Sequence, residues 1–197
     1  MLTSLAGVVL QNIAFIVFAM SILLWGQARV RHAPPWPGPR PVGRVFRGWL
    51  LVIWLVGFAL PVLAIIVDGA LGGHGAVWLA LLPYLLMFIV QIAFELFVWK
   101  RWRSVVWVLV PCLFLPWRCF QVYVGLATVW PLEGLVLTKL TLVALLVLWL
   151  INIGVHYTGI ALNLRWDLQR DGEFEAIGGV GDLLRPQSPD GASGQRG

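Results

Sequence analysis

Apolar residues along this chain fall into five long runs, at about 4–25, 48–67, 76–98, 104–130 and 135–157, separated by short polar stretches. Each run reaches roughly the 20 residues that carry a helix across a ~30 Å hydrocarbon core. Inside a bilayer no water satisfies the backbone, so each run must bond its own N–H and C=O groups as a helix. The pattern predicts an all-α fold: a polytopic transmembrane helix bundle of about five spans within residues 1–170. From Asp171 the pattern changes to Gly, Pro, Ser and charge, as in "DGEFEAIGGVGDLLRPQSPDGASGQRG". A segment of that kind cannot bury a core, so 171–197 is expected to be a disordered tail.

Composition strengthens the membrane reading. The 197 residues are 60% hydrophobic and 12% charged, about half the charge of an ordinary soluble domain. The first run, "MLTSLAGVVLQNIAFIVFAMSILLW", lacks a basic leader and is longer than a signal-peptide core, which predicts a retained span. Cys112 and Cys119 lie seven residues apart in one run, about 10 Å along a helix and too far for a disulfide. They are expected to serve as small buried hydrophobes.

Charge then orients the spans. The loop at 26–47 holds Arg29, Arg31, Arg40, Arg44 and Arg47 without an acid, and 99–103 holds Lys100, Arg101 and Arg103. The intervening turns carry only Asp68 and Glu133. Basic loops stay inside, so the N-terminus is expected outside and the C-terminus in the cytoplasm. Five prolines in "APPWPGPRP" make the first loop a semi-rigid strap. These eight basic residues are expected to contact anionic lipid headgroups, with no nucleic acid as partner. Lys139, one turn into the last run, should snorkel to the outer surface. Most of the twelve tryptophans sit near span ends, as an interfacial aromatic belt does, whereas Trp54, Trp117 and Trp149 lie deeper.

The candidate functional residues are the polar groups within the runs, because each is costly in lipid. Gln11 and Asn12 lie in the first run, Gln91 and Glu95 in the third, Arg118 and Gln121 in the fourth, and Asn152 and His156 in the fifth. Glu95 lies close to Lys100 and Arg101, so an interfacial ion pair is expected there. Arg118 begins a stripe with Gln121, Gly125 and Thr128 on one helical face. Counting from Ser104 sets it about 21 Å deep, near the bilayer centre. Its insertion costs about 3 kcal/mol, which thirteen Val, Leu and Phe residues in 104–130 offset by roughly 4–8 kcal/mol.

Arg118 therefore needs acceptors. Gln11 and Asn12 sit at its depth, and Pro111 and Pro116 free the carbonyls of Trp107 and Cys112. Glu95 lies some 16 Å shallower and comes within reach only if the prolines bend 104–117 or make it re-entrant. On this basis Arg118 is expected to be the central polar tie of the bundle.

No Cys-x-x-Cys, Gly-x-Ser-x-Gly, His-Glu-x-x-His or phosphate-loop motif occurs. His156 has no second span histidine with which to hold a haem. The expectation is a protein without a cofactor or a metal and without enzymatic activity, acting as an accessory, assembly or structural component beside other membrane subunits. A small transporter or channel component for an anionic solute, read by Arg118, is the alternative, and a tetrapyrrole- or lipid-binding protein is a third.

The stretches "GFALPVLAIIVDG", "LPYLLMFIVQIAFE" and "VPCLFLPWR", over about 57–118, resemble a family of small polytopic membrane proteins of plants, algae and cyanobacteria. Gly57, Pro61, Gly69, Pro83, Gln91, Glu95, Pro111 and Arg118 carry the resemblance. That family has no established activity. The resemblance implies the architecture and a photosynthetic lineage, and so a thylakoid or plastid membrane beside the plasma or inner membrane that topology alone suggests. "APPWPGPRP" more faintly resembles the tryptophan-rich sensory proteins, five-helix binders of tetrapyrroles or sterols, although the Trp and Pro spacing departs from theirs.

Overall fold

A computed structural model describes residues 5–32 and 44–163 of the chain. Those residues form five helices long and apolar enough to cross a membrane, and no strand occurs among them. We number them α1 (Leu5–Val30), α2 (44–71), α3 (75–102), α4 (105–129) and α5 (Val136–Asn163). The strap at 33–43, with Arg40, and the tail at 171–197 lie outside the described residues.

The apolar runs place the spans to within a few residues, but several helices outlast them. α1 continues through Gln27 and Arg29 to Val30, and α3 through Lys100 to Trp102. Hydropathy marks where the hydrocarbon ends, and a helix carries on through the interface because its own backbone bonds satisfy it there.

Prolines and π-turns shape three of the five. In α2, five-residue and seven-residue π-turns at Leu55–Ala59 and Ile65–Leu71 flank Pro61. The wider turn relieves the clash that a proline ring makes with the preceding turn. α3 accommodates Pro83 without a break and closes on a π-turn at Val98–Trp102. Arg103 (φ 48°) then reverses the chain in left-handed geometry.

α4 opens at Ser104, whose hydroxyl accepts from the Val106 N–H at 3.3 Å. A 3₁₀ turn at Val105–Val108 follows, then an unbroken α-helix at Leu109–Val129. Pro111 falls in the first turn of that α-helix, where a missing N–H matters least, and Pro116 is carried inside it. Residues 104–117 are thus the first half of a spanning helix.

α4 sits centrally, with α3 and α5 as its main neighbours. α2 packs on α3 and α5, and α1 on α3 and α4. One core joins α2 to α5 around Tyr84, Leu81, Leu145 and Trp149. A second fastens α1 through Phe15, Ala19 and Leu23 to Met87, Val110 and Phe114. α1 is the most peripheral helix: 17% of its apolar window is buried, against 56% for α4. Its far end meets the start of α4, since a Cβ on Gly26 would touch Val106 and Leu109.

Candidate functional site

Arg118 is the centre of the bundle's polar chemistry. It is 2% exposed, and its guanidinium packs against two neighbouring aromatic rings, 4.3 Å from the Phe88 centroid and 4.5 Å from that of Trp149, the two centroids being 6.1 Å apart. Aromatic faces carry negative charge density, so they stabilise a cation while remaining compatible with an apolar interior. One Nη2–H also donates to the Phe88 carbonyl at 3.4 Å, and the Nε–H is buried without a partner.

The Trp149 side of this cage is fixed by a relay across three helices. The Trp149 indole N–H donates to the Tyr84 hydroxyl at 3.0 Å, and that hydroxyl donates to the Gly57 carbonyl at 2.7 Å. The carbonyl is free because Pro61, four residues on, has no N–H to offer it. Gly57 also lets the indole come close: a Cβ there would stand 3.1 Å from Trp149 Cζ2.

The acceptors expected for Arg118 are engaged elsewhere. The Cys112 carbonyl, freed by Pro116, accepts the Tyr157 hydroxyl at 2.8 Å. Asn12 Oδ1 accepts from Gln121 Nε2 at 2.9 Å and from the Trp117 indole at 3.2 Å. Arg118 and Gln121 share a stripe on the helical wheel, yet their side chains serve different neighbours: α3 and α5 in one case, α1 in the other.

Glu95 also departs from expectation. Gln91 Nε2 donates to its carboxylate at 2.7 Å, in place of the ion pair with Lys100 or Arg101. Among the described residues no hydrogen bond or ion pair joins this carboxylate to Arg118, whose own acceptor is the Phe88 carbonyl. Side chains lean towards the N-terminus of their own helix. α3 and α4 run in opposite directions, so Glu95 and Arg118 lean towards each other. Gln91, 7% exposed, stands between the two levels on α3, and its Oε1 is buried without a partner.

The remaining candidates do not join this centre. Asn152 is buried and accepts from the Trp49 indole at 3.4 Å, tying α2 to α5. His156 is half-buried, away from the cage. Gln11 is half-buried and lines a lateral groove beside α1. Arg29, Lys100, Arg101 and Arg103 are exposed, and exposed Arg31 donates from Nε to His32 at 2.9 Å. Arg47 is exposed as well, and of Arg44 only the backbone is described. Lys139 donates to the Leu132 carbonyl at 2.5 Å beside the Trp130 ring.

Sequence reasoning missed Phe88, Trp149 and Tyr84, which read as ordinary apolar positions. The Pro61–Gly57 spacing was the available signal, because a proline announces an orphan carbonyl four residues earlier. It also missed a cap supplied between helices. Asp68 Oδ2, on α2, accepts the Thr138 backbone N–H at 2.9 Å and its hydroxyl at 2.6 Å, in the first turn of α5.

No protein-family model, curated protein or solved structure matches this chain.

Proposed function

We propose that this integral membrane protein is a non-enzymatic component of a larger membrane assembly, acting as an accessory, assembly or structural subunit. The observation that carries the reading is the closure of Arg118. This guanidinium, 2% exposed, packs against Phe88 and Trp149, with the Phe88 carbonyl as its hydrogen-bond acceptor. Such a group fastens helices, and an anion-reading arginine would instead face a wet passage.

In the same proposal the N-terminus is outside and the basic ends face the cytoplasm. Arg29, Arg31, Arg44, Arg47, Lys100, Arg101 and Arg103 then grip anionic headgroups there, each worth about 1 kcal/mol near the surface. The membrane is a plasma or inner membrane, or a thylakoid if the family resemblance reflects descent.

Purification of the full chain from its native membrane in mild detergent tests the proposal. The expected result is co-purification with one or more membrane subunits at fixed stoichiometry. A monodisperse monomer that travels alone at every detergent concentration would overturn it.

A further inference from the structure

Gln11 breaks the rule that polar groups inside a span find partners. Its neighbour Asn12 accepts from Gln121 and from the Trp117 indole, whereas the Gln11 amide makes no hydrogen bond among the described residues. The side chain is half-buried and lines the lateral groove, so the amide is accessible from the side of the bundle. It stands about 9 Å in from Leu5, the start of α1, where no water replaces a missing partner. An amide left unpaired in hydrocarbon is costly, so this position calls for a polar neighbour from outside the chain.

The groove, of about 610 Å³, runs along the exposed side of α4. Pro116 and Phe120 form its floor, and Ala14 and Phe18 of α1 form one wall. Three residues beyond Phe120, Tyr123 continues the same face of α4. It is 62% exposed, and its hydroxyl also makes no hydrogen bond among the described residues.

The Asn12–Gln121 bond fixes the relative heights of the two helices, which run in opposite directions. Gln11 lies one residue from Asn12 towards the start of α1, and Tyr123 lies two residues from Gln121 towards the end of α4. The two backbones are therefore level to within about 2 Å at these positions. Both unpaired groups sit at one depth on one side of the bundle.

We infer that this groove seats α1 of a second copy of the chain, in a parallel dimer whose two-fold axis runs along the membrane normal. Copies inserted the same way keep every residue at its own depth. The axis therefore sets Gln11 level with the partner's Gln11 and the partner's Tyr123. An amide both donates and accepts, so two Gln11 side chains satisfy each other reciprocally, and the Tyr123 hydroxyl supplies a further donor. Gln11, Ala14 and Phe18 recur at three- and four-residue spacing, the seam along which two parallel helices pack. Ala14, in the middle, lets the backbones approach closely. α1 has the surface to spare, with 17% of its apolar window buried. An acyl chain in the groove would leave the amide unpaired. A helix of another subunit would have to bring its own polar group to this depth, which a second copy does by symmetry. Self-pairing needs no other subunit, so the inference stands apart from the assembly role proposed above.

Disulfide trapping of the full chain in phosphatidylcholine vesicles tests it. Cys112→Ala and Cys119→Ala remove the native thiols, and a cysteine is placed by Ala14→Cys or by Ile13→Cys. Ile13 is 52% exposed and lies about 100° round the helix from Ala14. Iodine oxidation at low protein density should link Ala14→Cys chains into dimers and leave Ile13→Cys chains single. Förster transfer between fluorescently tagged chains with their native cysteines, followed on dilution with lipid, measures the affinity. Gln11→Leu breaks no bond within the chain, so its unfolding should be unchanged. Its self-association should weaken about tenfold, the worth of a reciprocal pair of interhelical hydrogen bonds. Gln11→Asn, which keeps an amide, should recover part of the loss, and Tyr123→Phe should weaken pairing about threefold.

Equal trapping at positions 13 and 14, or transfer no greater than random mixing gives, would overturn the inference and leave the groove to lipid. Self-association undiminished by Gln11→Leu would overturn it as well, by placing the contact elsewhere. A chain that co-purifies with another subunit but never with itself would overturn it while leaving the assembly role standing.

Discussion

The Tyr84 hydroxyl reaches from α3 to the Gly57 carbonyl on α2, 2.7 Å away, and occupies the place that Pro61 leaves without a donor. The same oxygen receives the Trp149 indole at 3.0 Å. A single hydroxyl thus orders three helices and sets one wall of the Arg118 cage.

Removing that oxygen tests the relay. Tyr84→Phe keeps the ring and leaves both the Gly57 carbonyl and the Trp149 N–H unpaired. Hydrogen bonds between transmembrane helices are each worth about 0.6–1.7 kcal/mol, so a loss of roughly 1–3 kcal/mol is expected. Reversible unfolding in mixed micelles measures it, and a loss below about 0.5 kcal/mol would contradict the relay.

The cage makes a prediction about the order of two Arg118 variants. Arg118→Met removes the charge together with its attraction to two rings, which amounts to about 1–4 kcal/mol, but it also relieves about 3 kcal/mol of insertion cost. Arg118→Lys keeps the charge and loses the flat guanidinium that packs against Phe88 and Trp149. Folded stability should therefore stay within about 2 kcal/mol of the parent in Arg118→Met and fall further in Arg118→Lys, measured by unfolding after purification. Finding Lys as stable as Arg would show that charge alone is wanted at this position.

Close packing at Gly57 should be intolerant of even one carbon. Gly57→Ala brings a Cβ to 3.1 Å from Trp149 Cζ2, and the displaced indole would also stretch its bond to Tyr84. Overpacking of this kind costs typically 1–3 kcal/mol. Gly154, in α5, has nothing within 4 Å of its notional Cβ, so Gly154→Ala should be neutral or stabilising by up to about 1 kcal/mol. Thermal unfolding of the two variants side by side measures the contrast.

The cap on α5 predicts a loss of its own. Asp68→Ala removes the acceptor of the Thr138 N–H and hydroxyl and should cost about 0.5–2 kcal/mol. Asp68→Asn, which keeps one acceptor oxygen, should recover part of it. Hydrogen exchange at the first turn of α5 should rise in the alanine variant while exchange in α3 stays unchanged.

Much of this architecture was legible in the chain because lipid imposes a simple rule: every spanning segment needs about twenty apolar residues. The five runs and the need of Arg118 for company follow from that rule and from elementary solvation. The proline arithmetic also held for Pro116, whose freed carbonyl on Cys112 is indeed taken by another helix. The partners were not legible. Periodicity finds a face on one helix but not which neighbour that face meets, so Asn12 was assigned to Arg118 when it serves Gln121 and Trp117. The partner of Glu95 was not legible either: Gln91, one turn back on the same helix, takes its carboxylate in place of Lys100 or Arg101. Trp149 looked like any deep tryptophan, and only the open space above Gly57 distinguishes it.

The Asp68–Thr138 contact bears on biogenesis. α2 leaves the ribosome long before α5, so the Asp68 carboxylate must wait in the membrane while some seventy residues are made. The first turn of the last helix acquires its cap only when that helix arrives beside α2. Assembly of the bundle is therefore completed between an early and a late helix, and a chain arrested before Thr138 would hold an unengaged acid at the membrane surface, open to quality-control factors.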